Sequence, residues 1–183
     1  MLPPGHIVAG FLLAEGLLAI TAPNFTIQQT NALLFTGAFF GFVPDLDMFY
    51  AFFKARGFTI SGTKINHRAY LTHRPLFWLG LSIVVFIFAQ TEFWKLFAIL
   101  IWLGTWSHFV LDSLKVGVLW LWPFNSKYYA LQSAGQKEDN QSKGFYNYWF
   151  THLTYFYPKQ FTSTFVLEII ILLLGAITLV LKL

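Results

Sequence analysis

Residues 161–181 read FTSTFVLEIIILLLGAITLVL. One ionisable residue, Glu168, interrupts an otherwise largely aliphatic run. At about 1.5 Å per residue, such a run is long enough to cross the roughly 30 Å hydrocarbon core of a bilayer. The rest of the chain has the same character. It is 183 residues long, 56% hydrophobic and 11% charged, whereas soluble domains are roughly 25% charged. A soluble globule of this size cannot hide that much apolar surface, so the bilayer is the expected solvent. The 22 phenylalanines, 8 tyrosines and 7 tryptophans suit lipid contact and interfacial belts. The absence of cysteine excludes disulfides and thiolate metal sites.

Working back from the C-terminal run, four more apolar segments lie at about 7–21, 31–43, 75–90 and 93–111. The first does not read as a signal peptide: no Lys or Arg precedes it, and Glu15 interrupts it. The first and third are short for a full span, which tilt or local thinning of the bilayer accommodates. Pro44, Asp45 and Asp47 end the second. The expected fold is therefore all-α, a polytopic membrane protein of about five hydrophobic helices with interfacial helical or loop segments. Residues 1–183 read as a single integral membrane domain: a motif-bearing part over about 5–125, an interfacial aromatic segment over about 115–160, and a C-terminal membrane helix over about 161–183. Residues 135–143, GQKEDNQSK, form the one clearly solvated loop.

Charge placement gives an orientation. Lys54, Arg56, Lys64, Arg68 and Arg74 lie between the second and third segments, and Lys115, Lys127, Lys137, Lys143 and Lys159 between the fourth and fifth. The 22–30 connection has no Lys or Arg, and the 90–95 turn has only Lys95. The positive-inside bias then puts the N-terminus and both long connections in the cytoplasm. These flanking charges account for the net +4, so no nucleic-acid partner is expected.

This topology gathers polar residues that are far apart in the chain. His6 opens the first span, Asp45 and Asp47 close the second, His67 and His73 precede the third, and His108 and Asp112 close the fourth. All seven fall at one membrane depth on the cytoplasmic side. Ionisable groups at or inside a span are costly and are usually functional or paired. His108 and Asp112 are four apart, so they share a helical face and can grip one divalent ion; the same spacing permits a helix-end hydrogen bond without metal. Asp45 and Asp47, splayed after a proline, can each ligate an ion, divide into ligand and supporting partner, or cap a helix. In NHRAYLTHRP, residues 66–75, His67 and His73 are six apart, too far for one helical face, so the chain must turn between them; incidental histidines in a basic interfacial loop are the plainer alternative. Thr72 can cap the next helix or orient a ligand, and Pro75 favours a helix start. Oxygen and imidazole donors without thiolate suit Zn²⁺, Mn²⁺, Fe²⁺ or Ni²⁺, as one or two ions.

The ordered set His6-x-x-x-Gly10, Pro44-Asp45-x-Asp47, His67-Arg68-x-x-x-Thr72-His73 and His108-x-x-x-Asp112, followed by GVLWLWPF at 117–124, resembles the YdjM-like, LexA-regulated membrane-bound metal-dependent hydrolases of bacteria and archaea. The resemblance covers roughly residues 5–125. It implies an inner-membrane, metal-dependent hydrolase whose polar site is His6, Asp45, Asp47, His67, His73, His108 and Asp112. Where the family often has Thr-His-Ser, this chain has Thr72-His73-Arg74. The order of ligands is also similar, at the level of fold analogy, to the helical zinc phospholipase C and nuclease group.

The expected activity is hydrolysis of an ester or phosphoester of a lipid or lipid-linked substrate by metal-activated water, zinc being the first choice of ion. Asp47 is the candidate general base. Arg68 and Arg74 are candidates for holding an anionic group, with anchoring to lipid headgroups as the plainer role. The rival class is a metal-binding or metal- or proton-transporting membrane protein, and a third is a metal that only staples short helices. Glu15 and Glu168 lie within spans, where helix–helix hydrogen bonds or a proton path explain them. His152 reads as interfacial, and Trp120 and Trp122 as belt residues.

Overall fold

A computed structural model of the chain describes residues 1–21, 23–47, 49–50, 70–114, 117–131, 150, 154 and 162–182. It is all-helical in architecture, and its long helices among the described residues are α1 Pro3–Thr21, α2 Ile27–Phe42, α3 Pro75–Phe88, α4 Glu92–Ser113 and α5 Thr162–Val180. Each of the five apolar segments forms one of these helices. Their ends follow local chemistry more than hydropathy. Pro3 and Pro4 begin α1, where the missing amide hydrogens cost nothing and φ is already set. Thr26 caps α2 in a reciprocal box: the Gln29 amide donates to Thr26 Oγ1 at 3.3 Å, and the Thr26 amide donates to Gln29 Oε1 at 3.0 Å. That box carries the polar residues Gln28, Gln29 and Thr30 into the helix, so α2 begins at Ile27 and not near residue 31. Thr91 caps α4 through the Trp94 amide.

Glycine sets how closely the first, second and fourth helices approach. A Cβ on Gly10 would lie 2.1 Å from the Gly37 carbonyl oxygen, and one on Gly41 would lie 2.3 Å from the His6 carbonyl oxygen. A Cβ on Gly104 would lie 2.8 Å from Phe40 Cβ and 3.0 Å from the same Gly37 oxygen. Backbones therefore touch, as in helix pairs of membrane proteins where hydrophobic attraction between helices is weak. Two apolar clusters fill the remainder. Ala14, Leu18, Leu33, Leu96 and Leu100 form one, and Val43, Trp78, Ile101, Phe109 and Val118 the other. Ser82 Oγ donates to the Ala98 carbonyl at 2.7 Å and fixes α3 on α4.

These contacts give each helix a direction. His6 and Ala14 of α1 meet Gly41 and Gly37 of α2, so the two run antiparallel. Gly37 and Gly41 meet Gly104 and His108, so α2 and α4 run parallel. Trp106 Nε1 donates to the Pro75 carbonyl and Ser82 reaches Ala98, so α3 opposes α4. Gly5, Val8 and Glu15 of α1 meet Glu168, Gly175 and Lys182, so α5 parallels α1. The starts of α1 and α3, the ends of α2 and α4, and the first turns of α5 consequently share one end of the bundle.

The surface is inverted relative to a soluble protein. Ile83, Val84, Ile87 and Phe88 of α3 and Val166, Ile170, Leu173 and Ile177 of α5 point outward, while histidines and aspartates are buried. Three helical stretches, Pro3–Thr21, Glu92–Ser113 and Ser163–Val180, are long and apolar enough to cross a membrane. At 16 and 14 residues, α2 and α3 are about 24 and 21 Å long.

After α4 the chain folds back over the end of the bundle. Val118 and Tyr129 pair as an isolated antiparallel bridge, and the Leu131 amide donates to the Ser113 carbonyl at 2.7 Å. Trp120 donates to Ser113 Oγ and packs edge-on against Trp106. Leu121 and Phe124 at the tip are exposed. The solvated loop expected at 135–143, most of the aromatic segment after it and His152 lie outside the described residues, as do His67 and Arg68.

Candidate metal centre

Each donor reaches the shared end of the bundle for a local reason. His6 closes the first turn of α1, where Gly41 lets α2 pass against its carbonyl. Pro44 lies within the 3-10 turn Val43–Asp45 that ends α2, and tightening of the chain there turns Asp45 and then Asp47 inward. Pro75 keeps Arg74 extended, at φ −111° and ψ 106°, so the short turn Leu71–His73 stands clear of α3 and aims His73 inward. Trp78 Nε1 donates to the Thr72 carbonyl at 2.8 Å and holds that turn down. His108 and Asp112 share one face of the last turns of α4.

The result is a buried cluster of three imidazoles and three carboxylates. His6, Asp45, Asp47, His73, His108 and Asp112 are all buried, with His6 and His108 at 0% exposure. His6 and His108 stack with ring centroids 3.8 Å apart, and His73 meets His108 edge-on at 5.3 Å. His6 Nε2 lies 3.4 Å from Asp112 Oδ1. His108 Nε2 lies 3.6 Å from Asp45 Oδ1 and 3.9 Å from Asp112 Oδ2. His73 Nε2 lies 3.8 Å from Asp45 Oδ1. The amino group of Met1 is 3.3 Å from Asp112 Oδ1.

Two of the imidazoles have their protons assigned by their partners. His108 Nδ1 is 2.9 Å from the Gly41 carbonyl oxygen, which only accepts, so Nδ1 carries hydrogen. Nε2 is the nitrogen turned towards two carboxylate oxygens, and it makes no hydrogen bond among the described residues. His73 repeats the arrangement: Nδ1 donates to Asp47 Oδ2 at 2.6 Å, which turns Nε2 towards Asp45. Thr72 Oγ1 donates to the same Asp47 oxygen at 2.6 Å. An imidazole held at one nitrogen by a carboxylate or carbonyl, with the other nitrogen aimed at more carboxylates, is the usual support of a metal-ligating histidine.

The donors fit a divalent cation on spacing and chemistry. Two groups, His6–His108–Asp112 and Asp45–His73–His108, each place one donor atom per residue within 4.8 Å of the others. Ligands about 2.1 Å from a tetrahedral ion stand roughly 3.4 Å from one another, near the distances above. Lone pairs that face carboxylates repel unless a proton or a metal lies between them. Because His108 Nε2 belongs to both groups, they compete for one nitrogen.

Six of the seven sequence candidates for the ligand set thus come together, and His67 lies outside the described residues. Asp47 stands behind His73. Arg74 is buried, with its guanidinium 5.2 Å above the Trp122 ring. Burial lowers its pKa from the ordinary value, with Tyr128 acting in the opposite direction, yet an arginine keeps its charge at neutral pH. The Gly41 carbonyl was not among the candidates. Its signal is the four-residue spacing of Gly37 and Gly41, which marks a close helix crossing.

A family model described as YdjM inner membrane protein matches residues 1–182. No curated protein matches the chain. No solved structure matches it either.

Proposed function

For a chain that belongs to the YdjM inner membrane protein family, we propose the activity of a membrane-bound metal-dependent hydrolase. Its substrate is an ester or phosphoester of a lipid or lipid-linked molecule, cleaved at the cytoplasmic face. One observation carries the reading: His108 is fixed at Nδ1 by Gly41 and presents Nε2 to Asp45 and Asp112 inside a buried His/Asp cluster.

A divalent ion, zinc by preference, supplies Lewis-acid chemistry and acidifies water at neutral pH. His6, His108 and Asp112, or Asp45, His73 and His108, hold it. With one shared nitrogen, we assign a single ion. Asp47 orients His73 and, through Thr72, is itself held still; its other oxygen is the candidate to take up a proton during hydrolysis. Arg74, beside His73 in the chain, offers a cation to an anionic substrate group. Arg68 shares that proposed role from sequence alone.

The substrate class is our reading of the site's position. The cluster lies at one end of a bundle whose sides are apolar, which supports a site near lipid headgroups. The 54–74 and 115–159 connections leave from that end and carry ten of the twelve Lys and Arg residues, which supports a cytoplasmic site in a multi-pass protein. A transporter would place its ligands near the midplane on broken helices. A second reading has one specific observation behind it. Full burial of His6 and His108 suits a metal that only joins α1 to α4.

The experiment is to purify the protein in detergent, measure bound metal, and assay phosphate and fatty-acid release from phospholipid and lipid-phosphate vesicles. Metal-dependent release that Asp47→Ala abolishes even at metal concentrations that restore full occupancy supports the hydrolase. Full metal occupancy without release from any substrate favours the staple.

A further inference from the structure

Among the described residues, α5 contributes no ligand to the cluster, yet it contacts the turn that carries one. Glu168 of α5 is buried at 3% exposure inside a span, where a carboxylate is costly unless satisfied. Its Oε1 accepts the Gly5 amide at 3.2 Å and its Oε2 accepts the Leu2 amide at 3.3 Å. These donors belong to the start of α1, where amide hydrogens have no partner within the helix and the helix dipole favours a negative charge. Gly5 directly precedes His6. It also admits the carboxylate, since a Cβ at Gly5 would lie 2.9 Å from both Glu168 Cγ and Oε1.

The geometry points to Glu168 as a positioning residue: it fixes the rotation and height of the first turn of α1, and so registers His6 against His108 and Asp112. The same two helices are joined at their far end by the Lys182–Glu15 ion pair, and Gly175 lets Val8 pack between the two joints. The far joint is exposed at Lys182 and lies remote from the cluster. It is therefore an internal control: cutting it loosens α5 without touching the turn that carries His6. The inference rests on the proposed metal site only for its second readout.

The test uses the full chain in nanodiscs, with histidine-selective isotope labelling and NMR of the ring signals without metal. Zinc titration against a competing chelator follows. Glu168→Gln keeps the shape but replaces one acceptor with a donor that faces an amide hydrogen. Gly5→Ala keeps the carboxylate and pushes on it, and also on Met1 Sδ, which the new Cβ would meet at 2.8 Å. Both are expected to shift or broaden the His6 and His108 ring signals, which report the 3.8 Å stack, and to weaken zinc about 10- to 100-fold, as loss of supporting contacts usually does. Lys182→Met is expected to change neither. Ring signals of folded Glu168→Gln that superimpose on the wild type would overturn the role. So would failure of both variants to fold while Lys182→Met folds, because Glu168 would then be a general folding determinant. Wild-type protein that binds no zinc, yet shows the ring shifts, would sink the metal reading and leave this one standing.

Discussion

His108 Nδ1 donates to the carbonyl oxygen of Gly41 at 2.9 Å, across the crossing of α4 and α2. That bond decides which nitrogen of His108 is left for chemistry. Gly41 also admits α1: a Cβ at position 41 would come within 2.3 Å of the His6 carbonyl oxygen. It therefore meets two of the ligand-bearing helices at once.

Gly41→Ala is accordingly expected to separate α1 from α2 and to cost about 1–3 kcal/mol, the usual cost of overpacking. Thermal unfolding in detergent checks the stability, and zinc competition checks the site. Gly16→Ala is the control, because a Cβ there meets nothing within 4 Å. A Gly41→Ala protein as stable as Gly16→Ala would contradict the close crossing.

Asp47 accepts from both Thr72 and His73 at 2.6 Å. Both donors share one oxygen, Oδ2, which Asp47→Asn can retain, but the substitution removes the negative charge that strengthens both bonds. Zinc affinity is expected to fall about 10- to 100-fold. Thr72→Val removes one donor and leaves His73 in place, so its loss should be the smaller of the two. Equal losses would mean that Thr72 holds more than Asp47.

Metal affinity should fall with acidity. A histidine must lose its proton to bind a metal, and a carboxylate must be ionised. The sign is fixed: protons compete with the ion, so affinity falls on acidification. Chelator competition from pH 8 downwards measures it. Affinity that rises as the pH is lowered would contradict His/Asp ligands.

Arg74→Ala removes the cation beside His73 and exposes the Trp122 ring it covers. For an anionic lipid substrate the expected result is a raised KM with a smaller change in kcat, since the residue binds and does not react. A KM unchanged for anionic and neutral lipids alike would return Arg74 to a headgroup anchor.

Much of this arrangement is legible in the residues themselves. Five apolar runs give five helices because period and length of that kind leave little choice in lipid. Their alternation then brings His6, Asp45, His73, His108 and Asp112 to one end before any distance is known. The helix starts are less legible. Gln28, Gln29 and Thr30 look like a connection, yet the Thr26–Gln29 box makes them helical. The division of labour between Asp45 and Asp47 is also invisible in the sequence, because it depends on which carboxylate the turn at Leu71–His73 meets. Glu168 reads as a helix–helix hydrogen bond, and it is one; its partners are backbone amides of α1, which have no sequence signal.

A single divalent ion held through His108 is measured by metal analysis of protein purified without chelator, wild type beside His108→Ala. Close to one equivalent is expected in the wild type and loss of nearly all of it in His108→Ala, with both proteins folded. A wild type without metal after reconstitution with zinc or manganese, or a His108→Ala protein that keeps its full equivalent, would contradict it.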